Sequence, residues 1–173
     1  GEPLALDGDG TTPSSLAAFA VQDGYVSVVL GSEGEVLLSH VAAGVSGVKT
    51  LELAPAGSPS TAALAVGEEL CAFWSRDNML NWQCGQATGS TTTGNRVLRS
   101  AAQRDGTAIA CFERSGGSVE CRSIDLNDGV AGDWLTIGNG STPHAFAVTA
   151  GEFVVRWVSA AGVSQVSIAN GQV

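Results

Sequence analysis

Apolar positions in this chain fall in short runs of four to seven residues, separated by Gly, Asp, Asn, Ser and Pro, without helical spacing. Three of the runs are near copies: Ala17-Ala18-Phe19-Ala20-Val21, Ala62-Ala63-Leu64-Ala65-Val66 and His144-Ala145-Phe146-Ala147-Val148. Each is followed, after a brief polar break, by a second apolar run, at 25–30, 70–74 and 153–158. A turn and a third run come next, as at 35–40. A weaker copy, Leu98-Arg99-Ser100-Ala101-Ala102, leads through Asp105-Gly106 into 107–112, in register with Asp23-Gly24 of the first unit. The anchors Phe19, Leu64, Ala101 and Phe146 are spaced by 45, 37 and 45 residues. The stretch after Phe146, joined to the stretch through Phe19, has 46 residues, one further repeat.

Internal repetition of this length predicts a repeat architecture. The pattern predicts one all-β domain over 1–173, a β-propeller of four repeats (about 1–47, 48–94, 95–132 and 133–173), each with about four antiparallel strands. Ala-rich first runs suit innermost strands, which crowd the axis. Outer strands are expected at 3–6, 49–53 and 133–137, while the short repeat offers only 85–95 for its own. An N-terminal strand at 3–6 paired with 163–169 would close the ring without a free edge. A β-sandwich and a β-trefoil are alternatives, although a trefoil needs three units. Another is half of an eight-bladed ring, completed as a dimer.

Composition narrows the function classes. Of 173 residues, 44% are apolar and 14% charged, which excludes an intrinsically disordered chain. The net charge of -9 repels phosphate backbones and anionic lipids, so neither nucleic acid nor a membrane surface is an expected partner. No apolar run approaches the roughly 20 residues that span a bilayer, so membrane insertion is not expected either. Cys71 and Cys84 are symmetric about Asp77-Asn78, two residue types that tolerate a tight hairpin turn. Cys111 and Cys121 are symmetric about Gly116, within Ser115-Gly116-Gly117. Two hairpins that set cysteines face to face predict two local disulfides, Cys71–Cys84 and Cys111–Cys121, against the alternative of buried thiols. Neither pair has metal-site spacing and only His40 and His144 could assist, so no metal and no cofactor is expected. Disulfides point to a secreted, periplasmic or cell-surface protein. Gly1-Glu2-Pro3 stands where a signal peptide would begin, which reads as a mature or trimmed chain.

The order strand, Asp-Gly turn, apolar strand, Gly turn and strand resembles the short repeats of secreted bacterial β-propellers, including the tectonin-like lectin propellers. The resemblance covers nearly the whole chain and implies the propeller fold and carbohydrate binding. The regular Trp-containing signature of those lectins is missing: Trp74, Trp82, Trp134 and Trp157 do not occupy one repeat position.

Propeller ligands meet loops at one end. The repeat register puts 7–14, 54–60, 88–94 and 138–144 on one face, rich in Ser, Thr, Asp and Gly. Asp7, Asp9, Ser14, Ser60 and His144 are the candidate ligand-binding residues of these loops, with polar turns as the plainer reading. Asp7-Gly8-Asp9-Gly10 starts like a calcium loop but no acidic residue closes it, so a tight turn is preferred. Trp74 and Trp157 would stack on sugar rings if exposed, or fill the space between blades if buried. The carboxylate pairs Glu33/Glu35 and Glu68/Glu69 stand in solvated turns, unsuited to general acid–base work, and no nucleophile elbow or phosphate loop is present. The expectation is a non-catalytic extracellular module that binds an unidentified glycan or protein. The alternative is a non-catalytic propeller domain of a larger secreted enzyme or scaffold.

Overall fold

The computed structural model describes residues 15–21, 24–30, 36–42, 49–54, 61–66, 70–149, 152–169 and 171–172; for 15–54, 62, 64, 66 and 70 only the backbone is described. Within them the chain is all-β, without helix. Four antiparallel sheets follow one another along the sequence. Sheet 1 holds β1 (Ser15–Val21), β2 (Gly24–Leu30), β3 (Val36–Ala42) and β4 (Lys49–Ala54), in that spatial order. Sheet 2 holds β5 (Ala62–Val66), β6 (Leu70–Arg76), β7 (Met79–Cys84) and β8 (Ala87–Thr92). Sheet 3 holds β9 (Arg96–Arg104), β10 (Thr107–Arg114), β11 (Ser118–Asp125) and β12 (Val130–Asn139). Sheet 4 holds β13 (Ser141–Thr149), β14 (Glu152–Ser159) and β15 (Gly162–Ala169), three described strands where the others have four.

Each sheet is a meander, in which strands that follow one another at short intervals along the chain pair antiparallel. Asp77 and Asn78 both adopt positive φ, 51° and 61°, so the β6–β7 turn is of the primed hairpin type whose twist matches its strands. Cys71 pairs with Cys84 and Cys111 with Cys121, and both pairs are disulfides, as the symmetry of the two hairpins predicts. The short second unit also has its outer strand: the Thr-rich β8 pairs along the whole of β7. The anchors Phe19, Leu64, Ala101 and Phe146 lie on β1, β5, β9 and β13, the first strands of the four sheets. These strands sit side by side, β1 against β5, β5 against β9 and β9 against β13.

Side-chain alternation gives each middle strand two rows. In sheet 2, Cys71 and Phe73 face sheet 3, where they join Leu80, Trp82, Leu98, Ala108, Ala110 and Phe112 in the first core. In sheet 3 the opposite row, Ile109 and Cys111, packs with Ala102, Cys121, Phe153, Val155 and Ile168 of the second core, against sheet 4. Sheet 3 is therefore covered on both faces. Sheet 4 is covered on one: Phe146, Val148, Val158 and Val163 stay 46–78% exposed on the other. The pairing predicted between 3–6 and 163–169 falls outside the described residues at its N-terminal end.

Candidate functional site

One end of the sheets gathers the turns β6–β7, β8–β9, β10–β11 and β12–β13, the end where the sequence places the ligand-facing loops. Between sheets 2 and 3 it holds a groove of about 160 Å³, lined by Thr61, Ser75, Arg76, Asn78, Thr93 and Arg96 among others. The Thr61 and Ser75 hydroxyls are 3.0 Å apart, and the Ser75 amide donates to the Thr61 carbonyl at 2.9 Å. The Thr93 amide donates to the Asn78 carbonyl at 2.6 Å, which fixes the β8–β9 connection against the β6–β7 hairpin.

Below the groove lies a charged cluster that sequence reasoning missed. Glu120, on β11, is almost wholly buried and accepts from the Nε of Arg96 and, at 3.4 Å, from Arg114; the Ser118 hydroxyl donates to it at 3.3 Å. Arg96 also donates to the Thr93 carbonyl at 3.0 Å and stacks on the Trp134 ring, 3.9 Å from its centroid. Arg122 lies 5.2 Å from the same centroid, and the ring meets Phe112 edge-on at 5.1 Å. Arg122 reaches across to sheet 2, donating to the Thr91 hydroxyl at 2.8 Å and the Thr92 carbonyl at 3.3 Å. Burial pushes the Glu120 carboxyl up, but the hydrogen bonds and charges of Arg96 and then Arg114 outweigh it, and it stays below the ordinary glutamate value. Burial, opposed by the charge of Asp133 and assisted by that of Arg96, lowers the pKa of Arg122, a guanidinium that remains cationic throughout the physiological range. One signal for this cluster is present in the chain: Glu120 and Arg122 stand opposite Phe112 and Ala110, two charged residues in a hairpin row whose partners are apolar.

The predicted ligand residues are scattered relative to this groove. Asp7, Asp9, Ser14 and Ser60 lie outside the described residues, as do Glu33, Glu35, Glu68 and Glu69. His144 is exposed on β13, paired with Arg156 of β14. Trp74 and Trp157 are both 8% exposed, so neither ring is open for stacking on a sugar. They do share a place: Trp74, Phe112 and Trp157 each stand two residues before the end of the second strand of their sheet. Trp157 donates through Nε1 to the Asn139 carbonyl at 3.1 Å and lies so close over Gly138 that a Cβ there would sit 2.6 Å from the ring. No group of three or more His, Cys, Asp and Glu able to hold a metal occurs among the described residues. No helix there is long and apolar enough to cross a membrane. No family model and no curated protein matches the chain.

Proposed function

We propose that this protein is a non-catalytic extracellular binding module: a four-bladed β-propeller that recognises carbohydrate or protein through the loops at one end. The observation that carries the reading is the groove at that end, where hydroxyls of Thr61 and Ser75, the Asn78 side chain and the guanidinium groups of Arg76 and Arg96 line one opening. These are hydrogen-bonding groups set at the ends of paired strands and on the connections beside them, the arrangement by which a rigid scaffold presents adaptable polar contacts. Two disulfides are compatible with an extracellular location.

Ring closure is part of the same proposal. Among the described residues, the β15 edge of sheet 4 has no charge or proline and is bridged only at Ala169, to Gln172, and one face of the sheet is exposed. Residues 3–6 would complete the edge, and sheet 1 would cover the face. Deleting residues 1–8 should then lower the melting temperature by several degrees and leave β15 amides unprotected in hydrogen exchange. Equal protection in both chains would remove the closure. For the recognition reading, a glycan array and partner capture with the intact chain should give a signal that Arg76→Ala, Asn78→Ala or His144→Ala reduces. A binding signal untouched by all three would place recognition elsewhere.

A further inference from the structure

The opposite end of sheets 2 and 3 carries a larger opening, and its chemistry differs. A cleft of about 650 Å³ is lined by Cys84, Gln86, Ala87, Gln103, Gly106, Leu126 and Asn127. Three turns converge on it: Gly85-Gln86 between β7 and β8, Asp105-Gly106 between β9 and β10, and Leu126 to Gly129 between β11 and β12. They are tied together. The Leu126 amide donates to the Gly106 carbonyl at 2.8 Å, joining two turns, and Asp125 accepts from the amides of Asn127 and Asp128 at 2.9 and 3.3 Å. Gly106, at φ 72°, lies directly under the Asn127 side chain, where a Cβ would come 2.6 Å from Nδ2. The Cys71–Cys84 disulfide anchors the sheet 2 side.

No side chain lining this cleft titrates, since Cys84 is in a disulfide. Its polar side chains are three carboxamides, those of Gln86, Gln103 and Asn127, with Gln86 and Asn127 exposed at the rim and Gln103 buried in the wall. A carboxamide offers two N–H donors and an acceptor oxygen, the combination that matches the donor-and-acceptor character of a sugar hydroxyl. Leu126 and Ala87 give an apolar contact for the C–H face of a sugar ring. The volume lies within the range of small-molecule sites, and an uncharged lining gives an ionic ligand no partner. We infer that this cleft is a binding site for a neutral saccharide of one or two rings. The inference goes beyond the loop-end reading: it needs only sheets 2 and 3, and it holds whether or not the ring closes.

The test is a calorimetric titration of the intact chain with neutral mono- and disaccharides (glucose, galactose, N-acetylglucosamine, lactose) and with glucuronic acid. At least one neutral sugar should bind, with an affinity unchanged between pH 5 and 8 because no lining group titrates. Asn127→Ala and Gln86→Ala, both at exposed positions, should each weaken it about tenfold. Ala87→Phe should abolish it by filling the cleft, with melting temperature confirming that each variant folds. Asn78→Ala, at the other end, should leave this binding unchanged, which separates the two sites. Absence of neutral-sugar binding, binding restricted to the acidic sugar, or affinity indifferent to all three cleft variants would each overturn the inference.

Discussion

Sheets 3 and 4 have the same meander but opposite surroundings. The second strand of sheet 3 buries both rows: Ala108, Ala110 and Phe112 against sheet 2, Ile109 and Cys111 against sheet 4. The second strand of sheet 4 buries Phe153, Val155 and Trp157, while Arg156 and Val158 of its other row are exposed, Val158 at 51%. Sheet 3 is thus held by neighbours on both sides, and its hydrogen bonds extend to both: Arg122 to Thr91 and Thr92 of sheet 2, Arg104 to the Val148 carbonyl of sheet 4 at 3.0 Å. The difference shows that these sheets are stabilised mainly by stacking, since a twisted meander alone covers only half of its side chains.

The comparison can be broken at several points. The largest effect belongs to Phe112→Ala in the shared core, expected to cost about 3–5 kcal/mol in urea unfolding. Removing the Cys111–Cys121 disulfide by double alanine substitution should cost about 2–3 kcal/mol, because the 10-residue separation restricts the unfolded chain. Glu120→Gln leaves Arg96 and Arg114 without their carboxylate and should cost about 2 kcal/mol at neutral pH. Because the folded carboxyl lies below its ordinary 4.5, its contribution is complete above that pH and is lost as the pH falls through the lower folded value. The native chain should therefore lose stability below about pH 4.5 more steeply than the Gln variant, as acid titration of the melting temperature would reveal.

Val158→Lys sharpens the contrast itself. An open sheet 4 face should tolerate it within about 0.5 kcal/mol, whereas a face covered by sheet 1 should lose about 1 kcal/mol or more. A comparably small effect is expected from Trp82→Phe. Trp82 is buried with an indole N–H that has no partner among the described residues, so removing that donor offsets part of the lost packing, and the net cost should stay below about 1 kcal/mol.

Local features are legible in the order of residues alone. The apolar runs form strands, and Asp77-Asn78 and Asp105-Gly106 form turns, because φ preference and alternation act over a few neighbouring residues. The disulfides follow from hairpin symmetry, since direct cross-strand partners are fixed once the turn is known. The fate of Trp74 and Trp157 is open in the sequence, where exposure and burial are both consistent with an apolar run. Packing decides it by placing Gly138 under Trp157.

The sequence by itself therefore determined the strand and turn pattern, the fourfold repetition and the cysteine partners, all set by interactions within single hairpins. Only the tertiary structure decided which rows face each other and what collects at the ends of the stack. Arg96, Glu120 and Trp134 meet from three strands of sheet 3, and Gln86, Gln103 and Asn127 from turns and strands of two sheets. The first cluster depends on the register in which strands distant in sequence lie in one sheet, and the second on the angle and spacing at which two sheets pack, quantities that residue order alone does not encode locally.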